Sequence, residues 1–237
     1  MIQQLSLAPN MNKVDAKEAE PIIQSILSDL LLLVPTQGVE GSAARTQIGD
    51  TQANALEWIL VDLIAIPLDL CFQLSVDAVA VPLSEAIIGF EQVRRNAQAK
   101  AATTVGGIFA RDYAILLCLA AEAQILSMMT FQSREQVERI RKASQPAFSY
   151  SEETTADAMD QMGYRAVVSL HAAVTNHLVV TALPLPRVLN YQFAHPFPSL
   201  VMAQKLYQDP SRADEMRDGN NVVHPAFMPP LGSALSK

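Results

Sequence analysis

Charge, aromatic rings, glycine and cysteine are all scarce in this chain, and each scarcity narrows what it can be. Only 17% of its 237 residues are charged and 6% aromatic, while 50% are hydrophobic and nine are glycine. Such a mixture, rich in Ala, Leu, Val and Gln, favours helices over sheets. Lys and Arg are outnumbered 17 to 24 by Asp and Glu, a formal charge of −7. That balance argues against nucleic-acid binding through a broad basic face. The two cysteines, Cys71 and Cys118, lie inside apolar runs and read as buried hydrophobes of a reducing compartment. No basic region precedes an apolar core at the start, where Asp15, Glu18 and Glu20 follow Met1-Ile-Gln-Gln-Leu. No signal peptide is expected, and synthesis is expected in a cytoplasm. No Gly-x-Ser-x-Gly, Walker loop or dinucleotide fingerprint occurs. Of the four histidines, His171 and His177 fall on different helix faces, and no Glu or Cys at ligand spacing completes a metal site with them. We expect no enzyme, no cofactor and no metal.

The length suffices for one large domain or two small ones. Residues 1–13 read as a polar arm, followed by a helical domain over 14–183. Asp15 and Glu18 form a capping-box pair, and Ile22, Ile23, Ile26, Leu27, Leu30, Leu31 and Val34 continue a helical stripe that Pro35 ends. The glycine-bearing segment 35–52 predicts a loop. The next stretch, Leu56–Leu83, is long enough to span a membrane, but Asp62, Asp69 and Asp77 would be costly in hydrocarbon. Their spacing places them within roughly 80° on one face of an amphipathic helix, kinked near Pro67 and Pro82. A charged helix over Phe90–Ala102, a break at Thr103–Gly107 that includes Gly106-Gly107, and an apolar helix Ile108–Phe131 come next. Ser133, with Gln136 three residues on, caps a helix to Lys142 whose mixed charges form pairs such as Glu135–Arg139 and Glu138–Lys142. Gln145–Tyr150 reads as a loop and Glu152–Thr181 as a long helix.

Residues 187–237 have a different grammar. Arg187–Phe193 alternates as a strand, and His195-Pro-Phe-Pro turns into a helix near Ser199 that buries Leu200, Ala203, Leu206 and Tyr207. Asp209-Pro210 stops that helix. Ser211, with Asp214 three residues on, caps a second one, which Gly219 and Asn220 end. Val222-Val223 and Phe227-Met228 then give an extended return that pairs with the first strand.

This stretch resembles the C-terminal end of the DNA circularisation (DNA circulation) proteins of Mu-like phages, itself similar to the LysM-like modules of contractile-tail baseplate proteins. The matching residues are Ala203, Leu206, Tyr207, Asp209, Arg212, Ala213, Asp214, Glu215, Asn221, His224, Pro225, Phe227 and Pro229. Gln208 departs from the pattern, which usually has glycine there. The resemblance implies a mainly α protein: a bundle of long apolar helices followed by a small LysM-like α+β module at 187–237. It implies a virion protein of the tail or baseplate, whose partners are other tail proteins and copies of itself, with no membrane. Alternatives are a DNA-end binding or circularising protein, whose naming domain has no counterpart here, and a peptidoglycan-binding protein. The docking residues it points to are Tyr207, Arg212, Asp214, Glu215, Asn221, His224 and Phe227. Among them Tyr207 and Phe227 are expected to carry the small core, and Arg212 to stand free for a partner carboxylate. His224 is expected to make a turn-stabilising hydrogen bond.

Overall fold

Burial recurs every three or four residues from Ala16 to Leu30, so the first helix presents one apolar face along its length. The computed structural model describes residues 13–158 and 160–236, so the arm expected at 1–13 lies outside the described residues except for Lys13. Among the described residues the chain is mainly helical, with one small antiparallel sheet near its C-terminus. The helices are α1 (Lys13–Leu33), α2 (Val39–Leu60), α3 (Ala65–Asp77), α4 (Leu83–Gln98), α5 (Val105–Met128), α6 (Arg134–Asp157) and α7 (Gln161–Ala182). Then follow β1 (Val188–Gln192), α8 (Ser199–Tyr207), a 3₁₀ turn Pro210–Arg212, α9 (Ala213–Gly219) and β2 (Leu231–Leu235). Contacts divide the chain into two units. One comprises residues up to Met129 with Gln145–Val174, and the other Thr130–Ser144 with Thr175 onward.

In the first unit α1 packs against α2, α4 and α5, and α5 also packs against α3 and α4. Ile22, Ile23, Ile26, Leu27 and Leu30 of α1 meet Ile48, Leu68, Phe72, Phe90, Ile115 and Ile125 in one buried core. Each such side chain contributes about 1.5–3 kcal/mol by leaving water. Gly106 and Gly107 do not break the chain as the sequence suggested. They form the first turn of α5, where a Cβ on Gly106 would lie 2.6 Å from Cβ of Asp15, and one on Gly107 would collide with Glu18. Their missing side chains let α1 and α5 approach closely.

Glu18 was expected to cap its own helix and instead caps α5. Its carboxylate accepts from Thr103 N–H at 3.0 Å, Thr103 Oγ1 at 2.9 Å and Thr104 N–H at 2.6 Å. These bonds, those from Thr104 foremost, lower its pKa from 4.5 to about 2. A lowered folded value means the stabilisation is present above about pH 4.5 and is lost as pH falls toward 2. Glu18→Gln should therefore lower the melting temperature at neutral pH and leave a smaller deficit near pH ~2.5, as scanning calorimetry across that range would show.

Three sequence expectations are corrected here. The segment 35–52 is not a loop beyond Gly38, because α2 runs from Val39. Its buried face is built from Gly41, Ala44, Ile48, Thr51 and Ala55, mostly residues too small to give a strong hydrophobic period. Arg45 Nη1 anchors it by donating to Leu31 O at 3.2 Å and Val34 O at 3.1 Å, which satisfies carbonyls at the end of α1. The Asp62, Asp69, Asp77 stripe does not lie on one helix. Asp62 sits in the turn between α2 and α3 with φ 57°, which rotates the rest of the stretch away. Pro67 is accommodated in the first turn of α3 and Pro82 is the residue before α4, both places where a missing N–H costs little. Finally, Gln145–Tyr150 is helical, with Pro146 inside α6. Ala147, Phe148, Ser151 and Thr155 are buried, and that burial carries the helix past the proline. The helix break expected before Glu152 lies instead before α7, where Asp160 Oδ1 accepts from Met162 and Gly163 N–H.

In the second unit Arg134 ties the start of α6 to the exit of α7. Its Nε donates to Leu185 O and its Nη2 to Leu183 O, both at 2.7 Å. Ser133 Oγ accepts from Gln136 N–H at 3.3 Å, as its capping position predicts. Glu138 pairs with Arg141 at 2.7 Å and Lys142 at 3.7 Å. Glu135 does not pair with Arg139; its carboxylate accepts from Val188 N–H at 2.8 Å. Among the described residues no helix is long and apolar enough to cross a membrane.

Candidate functional site

β1 pairs antiparallel with β2, Val188 opposite Leu235 through Gln192 opposite Leu231, and α8 and α9 lie between them in sequence. The return that pairs with β1 is therefore Leu231–Leu235 rather than Phe227-Met228. Met228 instead forms a single bridge with Phe197. That bridge buries Met228 completely and leaves Phe227 72% exposed. In extended chain neighbouring side chains point opposite ways, so burying one exposes the other. Phe227 is thus not a core residue, contrary to the sequence expectation.

The core of this module is Tyr191, Met202, Ala203, Tyr207, Ala213, Met216, Met228 and Ala234. In α8 the buried register is Ser199, Met202, Ala203 and Tyr207, while Leu200, expected inside, is 60% exposed. The helix begins at Ser199 as expected, Ala203 and Tyr207 are buried and Leu206 packs partly buried on the core, while Ser199 and Met202 take the inner face in place of Leu200. Gly232 is required beneath Tyr191, whose hydroxyl would lie 2.5 Å from a Cβ there.

Tyr207, Arg212 and Glu215 come together as one cluster. The Arg212 guanidinium lies 3.8 Å from the centroid of the Tyr207 ring. It grips Glu215 with both nitrogens, Nε to Oε2 at 3.0 Å and Nη2 to Oε1 at 2.6 Å. The Glu215 carboxylate raises the Arg212 pKa further. Arg212 therefore does not stand free for a partner carboxylate; stacking and the fork-shaped bond consume it within the module. The Tyr207 hydroxyl accepts from Leu235 N–H at 3.1 Å, and burial pushes its pKa up. Asp214 pairs with Arg217 at 3.0 Å and remains largely exposed.

The cap between the two helices is Asp209, not Ser211: its Oδ1 accepts from Ser211 N–H at 2.9 Å and Ser211 Oγ at 2.7 Å. Before it, Gln208 has φ 59°, the left-handed conformation that ends α8. A glycine adopts that conformation without the Cβ penalty. Gln208→Gly should stabilise the module by about 1 kcal/mol, read as a higher urea midpoint.

Asn221, with φ 52°, makes the left-handed turn after α9. The structural staple is its neighbour Asn220, which sequence reading treated only as a helix stop. Its amide donates to Met216 O and Ser233 O and accepts from Ser233 N–H, each at 2.8 Å. An asparagine two residues before an apolar return was the available signal. His224 and Phe227 form a separate pair with ring centroids 5.3 Å apart. His224 Nδ1 accepts from Ala226 N–H at 3.3 Å, the turn bond expected of it. Ser199 N–H donates to Pro225 O at 2.7 Å, so exposed Leu200, Val223 and Phe227 flank one joint of the module.

Elsewhere, His171 Nδ1 lies 2.7 Å from Glu152 Oε1 and the ring stacks on Phe148 at 4.7 Å. A glutamate does meet this histidine, but among the described residues no group of three metal-ligating side chains forms. Cys71 and Cys118 are buried free thiols. Burial raises the Cys71 pKa to about 11 and that of Cys118 well above the usual thiol range, which holds both protonated. A groove of about 790 Å³ along the start of α2 is lined by Gly38, Val39, Ser42, Ala43, Thr46, Gln47 and Leu74, none of them titratable. No family model matches the chain, and no curated protein matches it.

Proposed function

We propose that the chain is a structural component of a phage tail, a baseplate protein that links neighbouring subunits through its helical body and a C-terminal LysM-like module. The observation that carries the proposal is the strand–helix–helix–strand order of residues 188–235, closed by antiparallel pairing of β1 with β2. Two further features support the resemblance to the DNA circularisation family. Gln208 takes the left-handed conformation at the position where that family carries glycine. The motif residues Tyr207, Arg212 and Glu215 form one interlocked cluster, the behaviour of residues that maintain a fold.

The helical body fits a subunit packed among others. Leu56, Leu60, Val61, Leu63, Ile66 and Leu70 are exposed around the turn from α2 to α3, a concentration of apolar surface that marks an interaction site. The role as a docking module falls on the apolar surface beside Ser199 and Pro225, with Leu200, Val223 and Phe227, since Arg212 and Glu215 are engaged internally. Quantitative mass spectrometry of purified particles tests the role. Several copies per particle are expected, and absence from particles, with the chain recovered from the infected cell, would overturn it.

A further inference from the structure

A two-stranded sheet has two outer edges, and in this molecule they are finished differently. Phe193 N–H donates to Pro230 O and Ser236 N–H to Arg187 O, both at 2.7 Å. With the register of β1 on β2, these bonds turn the main-chain groups of odd-numbered β1 residues toward β2. Those of Val188, Asn190 and Gln192 point outward. The outward edge of β2 is closed, because Asn220 meets both main-chain groups of Ser233 and Tyr207 meets Leu235 N–H. On β1 only Val188 N–H is met, by Glu135. Among the described residues nothing bonds the main-chain groups of Asn190 or Gln192, and both residues are exposed. From Val188 to Phe193 there is no charged residue, so the edge lacks the lysines or acids that guard edges against pairing.

We infer that β1 is a self-pairing edge: two copies of the chain join β1 to β1, antiparallel across a two-fold axis at Tyr191, into a four-stranded sheet. In that register Asn190 of one copy lies opposite Gln192 of the other, and the reverse. The four residues with open main-chain groups then bond only to one another, as an isologous interface requires. Glu135 bounds the ladder by occupying Val188. On the helix-covered face Leu189, 54% exposed, lies across from the half-buried Phe193 of the other copy, so each covers the other. The absence of charge along β1 removes like-charge repulsion at the axis despite a net charge of −7. The inference stands on the sheet geometry and does not depend on the tail role.

Sedimentation equilibrium of the full chain at micromolar concentration should give a dimer. Gln192→Pro removes an outward N–H that β2 does not use. It should weaken the dimer by roughly tenfold or more with an unchanged circular-dichroism melt. If that variant disturbs the fold, cross-linking decides. Full-length Asn190→Cys and Gln192→Cys chains, mixed and oxidised, should give the mixed covalent dimer. A monomeric wild-type chain, a dimer indifferent to Gln192→Pro in an intact fold, or no mixed cross-link overturns the inference. Amides of 190 and 192 that become protected only when a different tail protein is added would likewise show that the edge serves another partner.

Discussion

Replacing Arg94 with methionine is expected to cost roughly 3–5 kcal/mol at neutral pH, the largest single loss in the first unit. Arg94 and Glu122 are 5% and 6% exposed and meet at 2.9 Å, Nε to Oε1, between α4 and α5. Burial raises the Glu122 pKa above 4.5, and Arg94 is the main influence holding it down; Glu91 adds to the rise and Arg95 opposes it. Without the guanidinium, the carboxylate must either stay charged in an apolar setting or take up a proton. A carboxyl whose folded pKa is raised contributes its stability below the unfolded value and loses it as pH climbs through the folded one. The deficit of Arg94→Met should therefore shrink as pH falls from about 7 to about 4, which urea denaturation at the two values measures. The double variant Arg94→Met with Glu122→Leu should recover most of the loss, since a buried ion pair is costly to break but replaceable by packing. An equal deficit at both pH values would contradict this electrostatic origin.

The second large effect belongs to Tyr207. Tyr207→Ala should cost about 3–5 kcal/mol and unfold the C-terminal module. The ring is 5% exposed, supports the Arg212 guanidinium, and its hydroxyl receives Leu235 N–H on the side of β2 away from β1. Tyr207→Phe removes only that last contact and should cost about 1 kcal/mol. Hydrogen exchange should show loss of amide protection over 188–192 and 231–235 in the alanine variant and a partial loss near Leu235 in the phenylalanine variant. Phe227→Ala, at an exposed position, should stay within about 0.5 kcal/mol of the parent chain. Module protection unaltered in Tyr207→Ala would show that the cluster does not hold the fold.

Phe227 also shows where sequence reading stopped. The pair Phe227-Met228 announced an extended return, and one of the two is buried. Period-two alternation alone does not say which, because the phase is set by the bridge between Phe197 and Met228, 31 residues apart in the chain. The stripe of α1 was legible because isoleucine and leucine repeat along it; α2 was not, because Gly41, Ala44 and Thr51 bury its face with little hydrophobic contrast. Gln145–Tyr150 read as a loop, and the burial of Phe148 and Ser151 instead carries the helix through it, past Pro146. Among the docking residues, only the three-residue spacing of Arg212 and Glu215 was available in the sequence, and Tyr207 joins them from another helix, across the turn at Gln208-Asp209. That Arg212 is spent internally depends on the angle between α8 and α9, which spacing does not encode. Glu18 illustrates the same limit: a capping pattern was visible, but its recipients, Thr103 and Thr104, lie 85 and 86 residues away.

Removing residues 187–237 from the chain in its native genome tests the proposed tail role of the module most directly. The amount of the truncated chain in purified particles, relative to a tail protein as reference, should fall to background, with tails absent or incomplete by electron microscopy. Normal tails containing the truncated chain at full occupancy would contradict a docking role.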